Sequence, residues 1–252
     1  MTSLTWQLQN PASAILFDCD GTLSAIEGID VLAEKNGVGD LVKSLTSQAM
    51  GKTGLTCKLY QERLGLVQPT LEQTLSLGKE YFANRAPDVL DVIQLLKRLK
   101  KSIYILSAGL SPAVKGFGEL LQISPANIFA VDINFDFQGR FLNFAHDSPL
   151  VENEGKRVIV DELKKNHKNL IYIGDGLNDY ATYDLVTRFI GYGGFYYRQN
   201  IADMCEYYIH SASMTALLPL ILTQPEYEIL SPAEQSLYHQ GLKAIQSGEV
   251  KY

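Results

Sequence analysis

A short apolar segment that runs into two carboxylates constrains this chain most. Residues Ala14 to Phe17 are all apolar, which predicts a strand buried on both faces of a sheet, and Asp18 and Asp20 follow directly. Ligands of open α/β sheets bind outside the carboxyl ends of the strands, so both carboxylates are expected to face a site. They repel each other unless a cation lies between them, which favours Mg²⁺. Taken alone, the segment also fits a strand that enters an Asp-Gly turn.

Composition narrows the class of protein. A chain of 252 residues has room for one large α/β domain, or for a main domain with a smaller one attached. With 46% hydrophobic and 20% charged residues it resembles an ordinary globular protein, and a net charge of −6 offers no broad cationic surface for nucleic acid. A phosphate-bearing ligand is therefore expected to be small and locally held.

Cysteine usage and apolar runs bear on the compartment. The three cysteines are widely spaced and form no C-x-x-C motif, which argues against a disulfide framework or a zinc site. The longest apolar run, residues 217–222, is far too short to cross a bilayer, and the first residues lack the apolar core of a signal peptide. We therefore expect a cytoplasmic protein with no membrane partner.

The region after the first strand is predicted to be an inserted helical domain. Residues 27–85 show several amphipathic helical patterns, so we expect a helical cap there and a core made of residues 1–26 and 86–252. A Thr-x-x-Gln capping box at Thr70 predicts the start of the last cap helix, with Leu71, Leu75 and Phe82 as its buried positions.

Two charged residues of the cap are candidate ligands for a small zwitterion. Arg63 lies on the apolar stripe that Leu55, Leu59 and Leu66 mark in a predicted helix over residues 55–66. One possibility is that its aliphatic stem covers apolar surface. The other is that its guanidinium binds the carboxylate of a ligand through two hydrogen bonds. Glu27 is the complementary candidate for an ammonium group, although a lone glutamate is usually a solvated helix start.

Further polar groups follow the later predicted strands. Ser107, Ala108 and Gly109 are expected to form a turn after a strand over 103–106, and Asp175, Asn178 and Asp179 follow a strand over 170–173. Lys156 stands at a helix start, where a cation is disfavoured unless an anion holds it; a solvated lysine is the alternative. Residues 134–144 alternate around Gln138-Gly139, which predicts a hairpin at the edge of the sheet. The alternation of strands and helices predicts a doubly wound, parallel, Rossmann-like α/β sheet that brings the strand ends to one edge.

This set of strand-end residues resembles the haloacid dehalogenase-like hydrolases and, within them, the phosphoserine phosphatases. The resemblance covers nearly the whole chain, from the D-x-D-x-T motif at Asp18 to the G-D-x-x-N-D motif at Asp175. It extends to residues 27–30, 49–51, 62–64 and 189–194. It implies a Mg²⁺-dependent phosphomonoesterase that hydrolyses O-phosphoserine in serine biosynthesis, on a core domain with a helical cap.

The resemblance also implies a role for each site residue. Asp18 is expected to attack phosphorus and form an aspartyl phosphate, Asp20 to act as general acid and base, and Lys156 to assist them. Mg²⁺ is expected at Asp18, Asp175 and the main-chain carbonyl of Asp20, with Asp179 in support. The expected substrate-binding residues are Glu27 for the amino group, Arg63 for the carboxylate, and Met50, Ser107, Ala108, Gly109 and Asn178.

Three positions depart from the family pattern. Gly21 and Ala108 replace the usual serine and glycine, and Thr56 stands where an aromatic residue usually closes the pocket. Ala108 and Thr56 leave open a phosphatase for another small phosphorylated metabolite, and a catalytically idle binding or regulatory relative is a third possibility. The tail beyond about residue 224 exceeds the family's usual end, and either a monomer or a homodimer is compatible with it.

Overall fold

The core is an open α/β sheet. The computed structural model describes residues 6–51 and 54–252, and for residues 46–51 it describes the backbone alone. Within that part of the chain the strands of the main sheet are β1 (Ala14–Phe17), β2 (Ser102–Leu110), β3 (Ile128–Val131), β6 (Leu170–Gly174), β7 (Arg188–Tyr192), β8 (Tyr207–Ile209) and β9 (Val250–Lys251), and a separate pair is β4 (Ile133–Phe135) and β5 (Phe141–Phe144). The order β3-β2-β1-β6-β7-β8-β9 is parallel except for β9, which runs antiparallel to β8. The predicted fold class is thus confirmed.

Helices cover the sheet and build the cap. The cap helices are α1 (Gly28–Lys35), α2 (Gly39–Gly51), α3 (Cys57–Val67) and α4 (Leu71–Ala83). The core helices are α5 (Val89–Arg98), α6 (Ser111–Leu120), α7 (Gly155–Lys164), α8 (Leu177–Tyr180), α9 (Gln199–Met204), α10 (Leu218–Ile221), α11 (Gln224–Glu228) and α12 (Pro232–Gln246). None of the helices in the described ranges combines the length and apolarity that a membrane span needs.

Strand β1 lies at the centre and is buried on both faces. Ile15 and Phe17 belong to the larger apolar cluster, whereas Ala14 and Leu16 belong to a second cluster on the other face. Phe17 pairs in register with Ile105 of β2 and with residue 173 of β6. The ends of β1 and β6 therefore lie side by side, as the sequence predicted, and β2 continues beyond them to residue 110.

The two chain segments that join core and cap pair with each other. Ser24 forms an antiparallel bridge with Arg85, and the Ala25 N–H donates to the Asn84 carbonyl at 2.9 Å. A helical segment that leaves and returns through neighbouring, paired chain segments is what an insertion into the core requires.

The predicted buried face of α4 is wrong. The capping box at Thr70 is present, but Leu71 and Leu75 are exposed and Phe82 is only half-buried. The buried face consists of Thr74, Leu77, Gly78 and Tyr81. Gly78 allows α4 to approach α6 closely, because a Cβ there would lie 2.9 Å from the Ala113 carbonyl oxygen. The prediction took the leucines as the buried positions, and it missed this face because most of its residues are small or polar.

Three further local predictions are corrected. Leu66 is exposed, because α3 buries Tyr60, Leu64 and Val67 instead.

Strand β2 continues through residue 110 with a shift in its pairing to β3, so residues 107–109 are extended and form no turn. The hairpin β4–β5 does not join the main sheet, since it reaches to the cap: the Leu71 N–H donates to the Gly139 carbonyl at 2.9 Å.

The tail packs against the core. Helix α12 begins after a capping box at Ser231, and β9 adds a strand to the edge of the sheet that the sequence did not indicate. Buried Lys101 donates to Glu226 Oε1 at 2.5 Å and to the Ala12 carbonyl at 3.0 Å, which fixes α11 to the core.

Candidate active site

A buried lysine joins two of the predicted aspartates. Lys156 Nζ lies 2.7 Å from Asp18 Oδ1 and 2.6 Å from Asp179 Oδ1, and the three residues are at most 5% exposed. Burial lowers the pKa of Lys156, but Asp179 and Asp18 more than offset it, so the net pKa lies above the usual value. The lysine at the unfavourable helix start is thus held by anions, and it remains charged.

Asp179 is an anchor for this cluster. Its Oδ1 accepts hydrogen bonds from Lys156 and from the Tyr172 hydroxyl at 2.9 Å. Its Oδ2 accepts the N–H groups of Asp175 at 3.1 Å and Gly176 at 2.9 Å. Through these four hydrogen bonds Asp179 fixes the lysine and the turn after β6.

The acidic cluster fits a hard divalent cation. Asp18, Asp175 and Asp179 each offer an oxygen within 4.8 Å of the others. Asp175 Oδ1 is buried with no hydrogen-bond partner among the described residues, which is unusual for a carboxylate. Burial raises the pKa of Asp175 and Arg198 opposes that rise, so that the net pKa is about 6. An unpartnered oxygen among carboxylates is the donor set that Mg²⁺ prefers.

Asp20 is held from one side. Its Oδ1 accepts the Gly28 N–H at 2.6 Å and the Tyr81 hydroxyl at 2.7 Å, while Oδ2 lies 3.4 Å from the Ser107 hydroxyl. Burial raises the pKa of Asp20, and the Gly28 and Tyr81 hydrogen bonds reduce that rise. A carboxyl group with a raised pKa can carry a proton nearer to neutral pH, as a general acid requires.

A cavity between cap and core contains most of the predicted residues. Its lining includes Asp18, Asp20, Glu27, Arg63, Ala108, Gly109, Lys156 and Asn178. Met50, also predicted to bind substrate, has a side chain outside the described residues. Ser107 is buried next to this lining, beside Asp20.

Arg63 faces this cavity with an unused donor. Its Nε is buried, and no described residue accepts a hydrogen bond from it. A buried guanidinium nitrogen without an acceptor is costly unless a ligand supplies one. The structure therefore favours the ligand-binding interpretation of Arg63 over a stem that merely covers apolar surface.

Glu27 and Asp175 share a cation that the sequence did not indicate. Arg198 Nη2 lies 2.8 Å from Asp175 Oδ2 and 3.8 Å from Glu27 Oε1. Burial raises the pKa of Glu27 well above the usual value, and Asp20 and Asp175 add to that rise, while Arg198 reduces it. Arg198 thus neutralises part of the excess negative charge between the acidic cluster of Asp18, Asp175 and Asp179 and the Glu27 side of the cavity.

Tyr60 supplies the apolar cover that Thr56 lacks. Thr56 is exposed and caps α3, accepting the Leu59 N–H at 3.2 Å. One turn later the buried Tyr60 lines the cavity, and its hydroxyl donates to the Ala108 carbonyl at 3.0 Å. The centroid of its ring lies 5.0 Å from the centroid of the Phe144 ring. The cap therefore closes against residues 107–109 through a different aromatic position.

Gly21 is suited to the position of Asp175. Its φ of +68° is one that L side chains rarely adopt, and a Cβ would lie 2.6 Å from Asp175 Oδ2. Glycine at this position therefore lets Asp175 reach Arg198.

Comparisons with known proteins place this fold and site. A family model described as haloacid dehalogenase-like hydrolase matches residues 12–182. The phosphoserine phosphatases of Bos taurus and Homo sapiens are 33% and 34% identical over 200 residues, which are 79% of this chain and 89% of each relative. A crystal structure of a phosphoserine phosphohydrolase-like protein from Francisella tularensis subsp. tularensis SCHU S4 matches with a TM-score of 0.72 and 25% identity, over 79% of this chain and 95% of that one.

The sheet, the cap and the acidic strand ends define a phosphoric monoester hydrolase with an inserted cap. The chain belongs to the haloacid dehalogenase-like hydrolases and, within them, to the phosphoserine phosphatase family. The family resemblance seen in the sequence is confirmed.

Sequence reasoning missed three cavity neighbours. Arg198 follows β7 beyond the Gly193-Gly194 pair, and its place after a strand end was the available signal. Tyr60 and Tyr81 lie on helix faces whose registers were misassigned because leucines were taken as the buried positions. Tyr60 lies one helical turn from Leu64, and Tyr81 lies one turn from Leu77. This spacing would have identified both buried faces.

Proposed function

We propose that this protein hydrolyses O-phospho-L-serine to serine and phosphate through an aspartyl-phosphate intermediate on Asp18. The observation that carries the substrate assignment is the buried, unpartnered Nε of Arg63, in the same cavity as Asp18 and Asp20. The phosphoserine phosphatases that this chain resembles support it. Release of serine makes a role in serine biosynthesis part of the same proposal.

Asp18 is the proposed nucleophile. Its carboxylate lies at the end of β1, where Lys156 and the Cys19 N–H both contact Oδ1, the latter at 2.7 Å. These donors hold the carboxylate in place and stabilise its charge. Attack on phosphorus forms the Asp18 O–P bond as the ester P–O bond breaks, and a later attack by water restores Asp18.

Asp20 is the proposed acid and base. In the first step it gives a proton to the departing serine oxygen, and in the second it takes a proton from the attacking water. The Ser107 hydroxyl, the Gly109 N–H and Lys156 are proposed to hold the phosphoryl oxygens. In this structure Ser107 accepts the Gly109 N–H at 2.9 Å, so both groups already lie together.

The residues that would hold Mg²⁺ are Asp18, Asp175 and the main-chain carbonyl of Asp20, with Asp179 in support. Bound there, Mg²⁺ supplies positive charge that lets a carboxylate approach a phosphate dianion. Arg198 fixes Asp175 Oδ2, so Oδ1, which has no hydrogen-bond partner among the described residues, would be the oxygen available to the cation.

Glu27 and Arg63 are the proposed groups that select serine, as the resemblance implies. Both line the cavity that contains Asp18. Glu27 would bind the ammonium group and Arg63 the carboxylate, while Asn178 and Met50 are proposed to assist substrate binding. A cytoplasmic location and a monomer or homodimer stay predictions.

Phosphate release from a panel of small phosphomonoesters tests this function. With Mg²⁺, phosphoserine should lead the panel for the wild type. Arg63→Ala should lose that preference yet still cleave an aryl phosphate, whereas Arg140→Ala, an exposed arginine paired with Asp136, should behave as wild type. If another ester leads and Arg63→Ala leaves the ranking unchanged, the phosphatase chemistry stands and the serine assignment is wrong. If no ester is cleaved, the idle, ligand-binding alternative replaces it.

A further inference from the structure

A buried tyrosine of the cap contacts the proposed acid and base of the core. Tyr81, on α4, is 1% exposed, and its ring stacks on Phe117 of α6 with centroids 5.6 Å apart. Its hydroxyl donates to Asp20 Oδ1 at 2.7 Å. Burial raises the pKa of Tyr81 well above the usual value, so the phenol keeps its proton and serves as a donor.

The contact leaves the two oxygens of Asp20 unequal. Oδ1 accepts both the Tyr81 hydroxyl and the Gly28 N–H, two donors that belong to the cap. An oxygen that accepts two short hydrogen bonds has no lone pair left for a proton. Oδ2 has only the distant Ser107 hydroxyl, at 3.4 Å, among its described contacts. A proton on this carboxyl group therefore belongs on Oδ2.

Position 28 must be glycine for this arrangement. A Cβ on Gly28 would lie 2.0 Å from the Tyr81 hydroxyl oxygen. Real Cβ atoms do not approach so closely, so a side chain at position 28 would displace the hydroxyl from Asp20. Gly28 and Tyr81 thus act as one unit, one by its N–H group and its lack of a side chain, the other by its hydroxyl.

We propose that Tyr81 is a positioning residue, which with Gly28 holds Asp20 Oδ1 and so directs Oδ2 to the leaving-group oxygen. The proposal deepens the proposed function, on which it rests. When the ester P–O bond breaks, the proton passes from Asp20 Oδ2 to the serine oxygen as the Asp18 O–P bond forms, and Tyr81 keeps its own proton. The cap thereby assembles the acid as well as covering the substrate.

The leaving group provides the test. An alkoxide such as that of serine needs a proton as it departs, whereas an aryl oxide such as p-nitrophenolate leaves without one. Loss of acid positioning should therefore harm alkyl phosphates selectively. The value of kcat/KM reports the first phosphoryl transfer, which is the step in which Asp20 acts as acid.

The experiment compares kcat/KM for phosphoserine and for p-nitrophenyl phosphate in Tyr81→Phe, which keeps the stacked ring. We expect the alkyl-to-aryl ratio to fall about tenfold or more, since a positioned acid contributes roughly 10² to 10⁴-fold. Tyr192→Phe is the matched control, because Tyr192 is equally buried and its hydroxyl donates to the Ala212 carbonyl at 2.6 Å, outside the cavity lining. The control should keep the wild-type ratio.

Gly28→Ala provides a second variant with Tyr81 present. It should lower the ratio in the same sense by displacing the hydroxyl, and it decides the question if Tyr81→Phe does not fold. An equal loss with both esters, or an unchanged ratio in the folded variants, would overturn the proposal. If the wild type does not favour phosphoserine, the serine assignment fails separately, and the best alkyl ester of the panel takes its place in the ratio.

Discussion

Lys156 Nζ lies 2.7 Å from Asp18 Oδ1, and the second carboxylate on the same ammonium belongs to Asp179. The lysine comes from the first turn of α7, where its charge opposes the helix dipole. Asp18 directly follows β1, whereas Asp179 lies in α8, so this one side chain ties β1, α7 and α8 together. The first turn of α7 thus carries a cation, against the usual preference for anions, because Asp18 and Asp179 surround it.

Lys156→Met should therefore affect both stability and activity. Removing the cation leaves two buried carboxylates unpaired, a change that costs about 3–5 kcal/mol in comparable buried pairs. It also removes a donor to the phosphoryl group, with an expected loss of about 10² to 10³-fold in kcat. Denaturant unfolding and steady-state kinetics measure the two effects.

Lys101→Met separates the loss of stability from the loss of activity. Lys101 forms a comparably buried ion pair with Glu226, away from the cavity. It should lose stability while kcat stays near the wild-type value. Normal kcat in folded Lys156→Met would contradict the assigned role of Lys156.

The response to Mg²⁺ should depend on pH through Asp175. Its folded pKa of about 6 lies above the usual 3.8, so the metal-free protein becomes less stable as pH rises through that window, in which the folded state binds more protons. The cation and the proton compete for Asp175, so the apparent Mg²⁺ dissociation constant should be about tenfold larger near pH 5 than near pH 7. Thermal unfolding with and without Mg²⁺ measures this.

Asp175→Asn is the control for that titration. It should show little stabilisation by Mg²⁺ at either pH. An equal Mg²⁺ affinity of the wild type at both pH values would show that the cation does not bind through Asp175.

Tyr60 should govern how well the cap holds substrate. Tyr60→Phe leaves the Ala108 carbonyl without its 3.0 Å donor, and a lost hydrogen bond of about 1 kcal/mol predicts a rise in KM of roughly fivefold. Tyr60→Leu also removes the ring that packs on Phe144 and should raise KM further. Tyr227→Phe, which loses a contact with His239 outside the cavity, should leave KM unchanged. A wild-type KM in Tyr60→Leu would show that the cover comes from elsewhere.

The sequence was sufficient for the parts of the site that follow from strand ends. Asp18 directly follows an apolar run, Asp20 and Asp175 lie within three residues of the end of one, and parallel topology brings such ends together whatever the details of packing. Lys156 was detectable because it violates the preference of helix starts for anions.

Contacts between helices and across the cap were not predictable in the same way. The buried face of α4 combines Thr74, Gly78 and Tyr81, residue types that are common on exposed faces, so only its packing on α6 identifies it. The strand-pair β4–β5 has the alternation of an edge hairpin, but its partners are α4 and Tyr60 of the cap. Such tertiary partners decide the outcome where local patterns allow several.

Trapping the phosphorylated enzyme shows whether Asp18 is the nucleophile. The protein is mixed with Mg²⁺ and phosphoserine, quenched rapidly in acid, and measured by intact-protein and peptide mass spectrometry. We expect a transient gain of one phosphoryl group on the peptide that contains Asp18, and no gain in Asp18→Asn. Turnover of phosphoserine with no such species in the wild type, or undiminished turnover by Asp18→Asn, would contradict that role.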